Sequence, residues 1–236
     1  VVQNQDVYAQ RIDANGNVLW APSGVPVCTD TSSQMNVHIG LDGTGSPVIG
    51  WSDERNGKYD IYAQRFDLNG IPQWTENGIP ICVLNYDRFM EQIVSDMNRG
   101  AILVWCDQRR GWDPQYGPYE DVYTQRIDAD GNFLWQTNGV CVCDARDVQA
   151  KCYGISDGQG GTIIVWHGEY FTGDYDIFAQ RLDQDGSLLW PIPDGLPICE
   201  AGYDQWDAVA TLSGTGQAVI TWFDKRDEPA YGDIYA

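Results

Sequence analysis

The sequence has little positive charge. Its 236 residues include 14 Lys and Arg against 34 Asp and Glu, which gives a formal net charge of −20. Nucleic-acid binders need a basic track along the phosphates, and anionic membranes attract polybasic segments. We therefore expect no nucleic-acid partner and no membrane insertion. The acidity agrees with solubility outside the cell, and divalent-cation binding by Asp-rich loops is the alternative.

Long apolar runs and helical periodicity are also missing. No stretch of about 18 apolar residues is present, so we predict no transmembrane helix, and no useful stretch has a 3.6-residue apolar period. The first residues, VVQNQDVYAQ, lack the basic and apolar regions of a signal peptide, but a mature secreted chain would look the same. Because apolar residues still make up 43% of the chain, we expect one folded all-β domain.

The sequence instead carries one motif four times. It reads DVYAQRID from Asp6, DIYAQRFD from Asp60, DVYTQRID from Asp121 and DIFAQRLD from Asp176, and a fifth copy begins at Asp233 and stops at Ala236. The repeat lengths are 54, 61, 55 and 57 residues. Repeats of this length that contain several short strands are typical of propeller blades.

Spacing inside the repeat is almost constant. A Trp follows the second Asp of the motif after seven residues, and a Cys follows that Trp after eight or nine more. Fourteen residues after the Cys comes a turn position, and nine residues after the turn position comes a second Trp. Strand pairing fixes such lengths, because a one-residue slip turns every side chain to the other face. The segment after the second Trp varies from 9 to 16 residues, so we predict a surface loop there.

The segments predict four strands per repeat. They are an apolar run ending in the second Trp, the DIYAQR strand, a short strand ending in the first Trp such as NVLW, and a run after the Cys such as EQIVSD. We predict an all-β β-propeller of four-stranded antiparallel blades. It is expected to be one domain, 1–236, with repeats 6–59, 60–120, 121–175 and 176–232 and a partial fifth repeat, 233–236.

The ends of the sequence lie inside the same motif. We expect the ring to close by pairing of the N-terminal and C-terminal strands, because closure removes an open sheet edge. Three alternatives stay open: the last residues are displaced, the chain is a window of a longer propeller, or the last residues pair with the next molecule in a head-to-tail contact.

The full pattern D-I-Y-A-Q-R-x-D-x-x-G-x-x-x-W resembles the repeats of large, mostly uncharacterised secreted bacterial proteins with β-propeller-like repeats. The resemblance extends over the whole chain. It implies the propeller fold and a location outside the cell or on the cell surface. It implies no particular activity, and likeness of fold would not assign one.

The second Trp opens the motif Trp-x-Asp-x-Arg in three repeats. The motif supplies Asp53 with Arg55, Asp107 with Arg109, and Asp224 with Arg226. Recurring Arg residues also stand in the DIYAQR strand, and an Arg buried between blades needs a carboxylate partner. Residues that recur in every repeat usually serve packing, so we favour structural ion pairs over catalytic carboxylates.

The third repeat breaks this motif and reads Trp166-His167-Gly168-Glu169-Tyr170. His167 beside Glu169 is a candidate acid–base pair, although a His at a strand end is more often a surface residue. Neither His167 nor His38 has a second ligand at metal-site spacing. We predict no metal and no cofactor. Calcium in the Asp-x-x-Gly turns is the weaker alternative to turn capping by Asp.

Seven cysteines are present. Four of them share one column of the repeat and should lie too far apart to form bridges, so we predict that they are buried small hydrophobes. The other three, Cys106, Cys141 and Cys152, cluster around the second and third repeats, where the sequence allows one disulfide of undetermined pairing. No C-x-x-C is present, which argues against a zinc or redox motif.

Aromatic residues outside the repeat columns mark a candidate binding surface. They are Trp112, Tyr116 and Tyr119 in the longest variable loop, Tyr170 and Phe171 in the equivalent loop of the next repeat, and Tyr203 and Trp206 after the last Cys. Exposed aromatics beside Asp and Gln suit a carbohydrate or protein partner. Packing of the loops on themselves is the alternative. We place the loop 107–120 at the ligand or partner face.

No catalytic signature stands out in the sequence. The expected function is therefore a non-catalytic binding or scaffolding module of a secreted or cell-surface protein, with glycan or protein bound at the variable-loop face. The alternatives are a glycan-cleaving propeller enzyme and a self-assembling, fibre-forming structural unit.

Overall fold

The structure is a computed structural model that describes residues 4–114, 117–145, 148–169, 173–214, 216–226 and 233–235. These residues form nineteen β-strands and no helix. The described part of the chain accordingly contains no helix long and apolar enough to cross a membrane. The all-β prediction with antiparallel sheets is confirmed.

The strands follow one another in a regular order. They are β1 (Val7–Ala9), β2 (Val25–Cys28), β3 (Gln34–Leu41), β4 (Pro47–Asp53), β5 (Asp60–Arg65), β6 (Ile79–Cys82), β7 (Arg88–Ser95), β8 (Ala101–Asp107), β9 (Trp112–Asp113) and β10 (Gly117–Pro118). The remaining strands are β11 (Asp121–Ile127), β12 (Val140–Cys143), β13 (Gln149–Ser156), β14 (Thr162–Glu169), β15 (Tyr175–Leu182), β16 (Leu196–Cys199), β17 (Gln205–Gly214), β18 (Gln217–Asp224) and β19 (Asp233–Tyr235).

Three sheets are complete four-stranded antiparallel units, in the orders β3-β4-β5-β6, β7-β8-β11-β12 and β13-β14-β15-β16. Each sheet takes its first two strands from one sequence repeat and its last two from the next. The chain therefore begins with a two-stranded sheet, β1-β2, and ends with a three-stranded one, β17-β18-β19. β9 and β10 form a small ribbon in the longest variable loop.

The predicted closure of the ring is wrong. β1 pairs with β2, and β18 pairs with β17 and β19, so within the described residues no strand pairing joins the two ends. The physical reason is competition for one position: the strand Asp233–Tyr235 repeats the sequence of the first motif and occupies the edge of β18 that β1 was expected to fill. Four closed blades are therefore not what the sheets form.

The outermost strand of each blade also differs from the prediction. The segments that end in the first Trp form single bridges, such as Ile12 with Val18, and the outer strand is instead the segment ending at the column Cys, such as Val25–Cys28. The Trp leaves its own sheet because it packs on the next one. Trp74 Nε1 donates to the Ala129 carbonyl, 3.1 Å away, in a hairpin turn of the following blade.

Neighbouring sheets pack side by side through their first strands. β3 contacts β7, β7 contacts β13, and β13 contacts β17; we call these four the inner strands. The second strands β4 and β8 are buried along their whole length, and they carry Trp51 and Trp105, which are fully buried. Each ring stacks on an aromatic residue of the third strand, as Trp105 does on Tyr123 at 6.3 Å.

The variable loops and the starts of the inner strands lie at one edge of the sheets. Asp53, the last residue of β4, is paired with Gln34, the first of β3, and Asp107 is paired with Arg88 in the same way. We call this the loop edge. It brings the most variable segments of the repeat next to the first residues of the inner strands.

Candidate active site

The six residues predicted to form structural ion pairs do so at the loop edge. Arg55 Nη2 lies 2.6 Å from Asp53 Oδ2, and Trp51 Nε1 donates to the same carboxylate at 2.7 Å. Burial alone would raise the pKa of Asp53, but hydrogen bonds from Arg55 and Trp51 hold that pKa below its usual range. Asp107 with Arg109 and Asp224 with Arg226 repeat the arrangement.

The arginines of the DIYAQR strands use a different set of carboxylates. The pairs are Arg65 with Asp42 at 2.7 Å, Arg126 with Asp96 at 3.0 Å, and Arg181 with Asp157 at 2.8 Å. Each of these Asp residues lies in the turn between the first two strands of a blade. The pairs therefore hold that turn against the third strand, which is a structural task.

The Asp residues that end the repeat motif cap hairpin turns. Asp13 Oδ1 accepts the backbone N–H groups of Asn15 and Asn17, each at 2.8 Å, and Asp183 accepts those of Asp185 and Ser187 at 2.9 Å. This is the geometry of turn capping. Within the described ranges, no group of three or more acidic, His or Cys side chains is arranged to hold a metal ion.

Each inner strand carries a β-bulge opposite the Trp of the second strand. In β7 the extra residue is Glu91, and the other bulges give positive φ values at Asn36 (49°), Lys151 (52°) and Asp207 (53°). A bulge redirects side chains and is often found beside active sites. Here the redirected residues have a different chemical character in each blade.

A pocket of about 240 Å³ extends over three of these bulges. It is lined by Glu91 of β7, Lys151 and Tyr153 of β13, and Asp207 of β17. A second pocket of about 340 Å³ shares Asp207 and is walled by apolar residues that include Phe223. Two acidic residues and one lysine, from three different blades, therefore line one opening.

Glu91 has the electrostatics of a proton donor. Burial raises the pKa of Glu91 to about 7; Lys151 lowers it, and Glu120 of the longest variable loop raises it. The carboxyl group is therefore partly protonated at neutral pH. A group with a pKa close to the working pH is suited to general acid–base chemistry.

His167 holds the bulge of β17 through a hydrogen bond to its backbone. The backbone N–H of Asp207 donates to His167 Nδ1 at 3.3 Å, and the ring meets Tyr175 edge-on at 5.2 Å. Burial lowers the pKa of His167 to about 4, although Asp207 raises it, so the ring is neutral and free to accept this hydrogen bond. The contact gives His167 a positioning task rather than a partnership with Glu169.

The predicted aromatic surface is dispersed along the loop edge. Trp112 is 70% exposed and Tyr203 is 52% exposed, whereas Tyr119 lies under Arg110 and Trp206 under Lys225. Three of the predicted residues lie outside the described part of the chain: Tyr116, Tyr170 and Phe171. Among the described residues of the longest loop, Glu120 raises the pKa of Glu91 in the pocket.

Sequence reasoning missed the pocket residues. The signal that could have found them is a column in which no two repeats agree: eight residues after the column Cys the chain has Asn36, Met90, Lys151 and Asp207. Glu91 is one residue further on. A column whose residue type changes between columns that stay constant indicates a position where the fold accepts different side chains. The constant spacing did not predict the β-bulge that brings these residues to one pocket.

No family model and no curated protein matches the chain. Among solved structures, it is similar to a protein of unknown function from Dyadobacter fermentans DSM 18053, with a TM-score of 0.55 and 8% identity, over 91% of this chain and 67% of that one. It is also similar to a thermostable family-43 glycoside hydrolase, with a TM-score of 0.53 and 10% identity, over 82% of this chain and 66% of that enzyme. At identities this low the likeness shows the fold alone, and the fold is that of a β-propeller-like all-β protein.

The comparison contradicts the main functional prediction. A solved structure with this fold is a glycoside hydrolase, and the described chain has a carboxylate-lined pocket on its inner strands. A non-catalytic binding or scaffolding module is therefore the wrong interpretation, and the glycan-cleaving alternative agrees better with these findings. The error arose because the carboxylates of the Trp-x-Asp-x-Arg motif and the second Asp of the repeat motif, which the sequence makes prominent, are occupied in ion pairs and turn caps.

Proposed function

We propose that this chain forms the glycan-cleaving part of a secreted or cell-surface β-propeller, with Glu91 as the proton donor and Asp207 as the proton acceptor. The observation that carries the proposal is the pocket whose lining includes a carboxyl group with a pKa of about 7 and a second carboxylate from another blade. Most glycoside hydrolases use two carboxyl groups, of which one keeps its proton and acts as the general acid.

In the proposed step, Glu91 gives its proton to the glycosidic oxygen while the bond from that oxygen to the anomeric carbon breaks. A water molecule adds to the anomeric carbon, and Asp207 takes the proton that the water loses. One glycosidic bond and one water are consumed, and two hydroxyl-bearing fragments are released. Exchange with solvent returns the proton to Glu91 and removes it from Asp207.

The surroundings of the pocket suit a sugar chain. The adjoining cavity of about 340 Å³ has walls from Trp222 and Phe223, and Phe223 is 40% exposed. Aromatic faces pack against the apolar faces of sugar rings while nearby polar groups bind hydroxyls. Lys151 lines the pocket from β13, the strand that contacts both β7 and β17, and it would serve as a hydrogen-bond donor for the substrate.

The test is hydrolysis of a panel of polysaccharides and aryl glycosides by the wild-type chain, by Glu91→Gln and by Asp207→Asn. We expect each variant to lose about 100-fold or more in kcat/KM on natural glycans. Glu91→Gln should lose much less on aryl glycosides with acidic phenol leaving groups, because these need little protonation. The fall in wild-type activity above about pH 7 should disappear in this variant.

Glu54→Gln is the matched control, because Glu54 is an exposed carboxylate at the same edge and its loss should leave activity unchanged. The proposal is overturned if the wild-type chain releases no sugar from any substrate of the panel. It is also overturned if Glu91→Gln keeps full activity on natural glycans.

A further inference from the structure

The residue after the buried Trp has the same task in successive blades, which is to hold the bulge of the next inner strand. Ser52 Oγ accepts the backbone N–H of Met90 at 3.0 Å, and His167 Nδ1 accepts that of Asp207 at 3.3 Å. Cys106 occupies this position in the blade between them. Its Sγ lies 3.5 Å from Sγ of Cys152 in the bulge of β13.

This thiol pair differs from the column cysteines, which are engaged with other groups. Arg55 Nη2 donates to Cys28 Sγ at 3.3 Å and Arg226 Nη2 to Cys199 Sγ at 2.9 Å. Cys106 and Cys152 are 2% and 3% exposed. Each therefore has the other as its sulfur neighbour in a closed space.

We propose that Cys106 and Cys152 form a disulfide across the two blades when the chain folds in an oxidising environment. The two thiols lose two electrons and two protons, and one oxidised glutathione accepts them and leaves as two reduced glutathione molecules. The S–S bond of about 2.05 Å requires the sulfurs to approach by about 1.5 Å from their present separation of 3.5 Å. The bond ties β8 to the bulge that carries Lys151.

Burial of the two thiols in the folded protein means that the disulfide forms before folding is complete. Desolvation, together with the Cys106 thiol, raises the pKa of Cys152 well above its usual value. The thiolate is the species that attacks a disulfide, so the folded, reduced protein contains almost none of the reactive form. The bond forms while the blades are still open to solvent, and it is slow to form afterwards. None of this depends on the proposed hydrolysis.

The test is refolding of the full reduced chain in a mixture of oxidised and reduced glutathione, compared with refolding in reduced glutathione alone. Free thiols are then alkylated in denaturant and the peptides mapped by mass spectrometry. We expect one cross-linked peptide pair that joins Cys106 to Cys152, and five alkylated cysteines out of the seven. The bond closes a span of 46 residues, and the midpoint of thermal unfolding should rise by roughly 5–10 °C.

Cys106→Ala and Cys152→Ala should each abolish the cross-link and the rise in melting temperature, whereas Cys28→Ala should keep both. Protein that was folded in the reduced state and then exposed to oxidised glutathione should cross-link far more slowly. A native-like oxidised chain with no cross-link, or with its cross-link to Cys141, overturns the proposal. If the variants do not fold, the two redox states of the wild-type chain decide it alone.

Discussion

The first Asp of the repeat motif, at or next to the start of the third strand, has different charged neighbours in each of the three four-stranded blades. Asp60 is 2.7 Å from Nη1 of the buried Arg88, and Asp121 is paired with Arg110. Asp176 is buried, and the charged neighbours that act on it are the acidic Glu200 and Asp174. Burial and these neighbours raise the pKa of Asp176 to about 6 from 3.8.

We predict that Asp176→Asn stabilises the protein above pH 6. The folded state keeps its proton up to about pH 6, while the unfolded chain releases it near pH 4. The carboxyl group therefore contributes stability below pH 4 that is lost as the pH rises to 6. The variant should gain about 1–2 kcal/mol at pH 7, after allowance for solvent screening, and nothing at pH 4. Urea unfolding at both pH values measures this.

Asp121→Asn is the contrasting variant at the same position of the preceding blade. Burial raises the pKa of Asp121 to about 6 as well, although Arg110 lowers it. Asp121→Asn should nevertheless destabilise the protein at pH 7, because it leaves the Arg110 guanidinium without its anion. Equal losses of unfolding free energy in the two variants would mean that both carboxylates stabilise the protein to the same extent. The acidic charges around Asp176 would then have no effect on stability.

At the scale of the element, two kinds of hairpin turn share one capping pattern and differ in one contact. Asp157 caps the turn between β13 and β14 through Oδ1 and accepts from Arg181 through Oδ2 at 2.8 Å. Asp183 caps the turn after β15 in the same way, because its Oδ1 accepts the backbone N–H groups of Asp185 and Ser187. The first turn is therefore tied to the third strand of its blade by charge.

We predict that Asp157→Asn costs about 1–3 kcal/mol in unfolding free energy. The asparagine keeps the oxygen that caps the turn, but its NH₂ group faces the Arg181 guanidinium and leaves that cation without its anion. Asp183→Asn keeps its turn bonds too and should lose much less. Midpoints of urea unfolding compare the two variants, and equal losses would show that the ion pair adds nothing.

At the scale of the whole molecule, successive blades are joined by a Trp that lies on a glycine turn. Trp135 Nε1 donates to the Gln184 carbonyl at 2.9 Å, and a Cβ at Gly186 would stand 2.9 Å from its ring. Gly16 occupies the same turn position in the first repeat with the same φ of +83°, and nothing lies within 4 Å of its Cβ position. The two glycines therefore differ in their packing and not in their backbone strain.

We predict that Gly186→Ala destabilises the protein by about 1–3 kcal/mol more than Gly16→Ala does. Both variants bear the cost of an alanine at positive φ, and only the first also pushes Trp135 away from its blade. Thermal unfolding of the two variants measures the difference. Equal melting temperatures would show that the packing of Trp on the turn does not hold the blades together.

The sequence alone determined the features that depend on local spacing. The constant steps between landmarks predicted antiparallel sheets, turn-capping Asp residues and the position of the variable loops, because strand register and hairpin geometry follow from a few consecutive residues. The pairing of Asp53 with Arg55 also follows from a two-residue separation.

Tertiary structure decided the rest, because it depends on residues far apart in the chain. The motif Arg of one strand met the Asp of a turn 23 residues away, as in Arg65 with Asp42, and the first Trp of each repeat left its own sheet for the next. The edge of β18 went to β19 rather than to β1, since two copies of one sequence competed for a single place. Glu91, Lys151 and Asp207 meet only because three bulges turn toward one opening, and no spacing along the chain records that meeting.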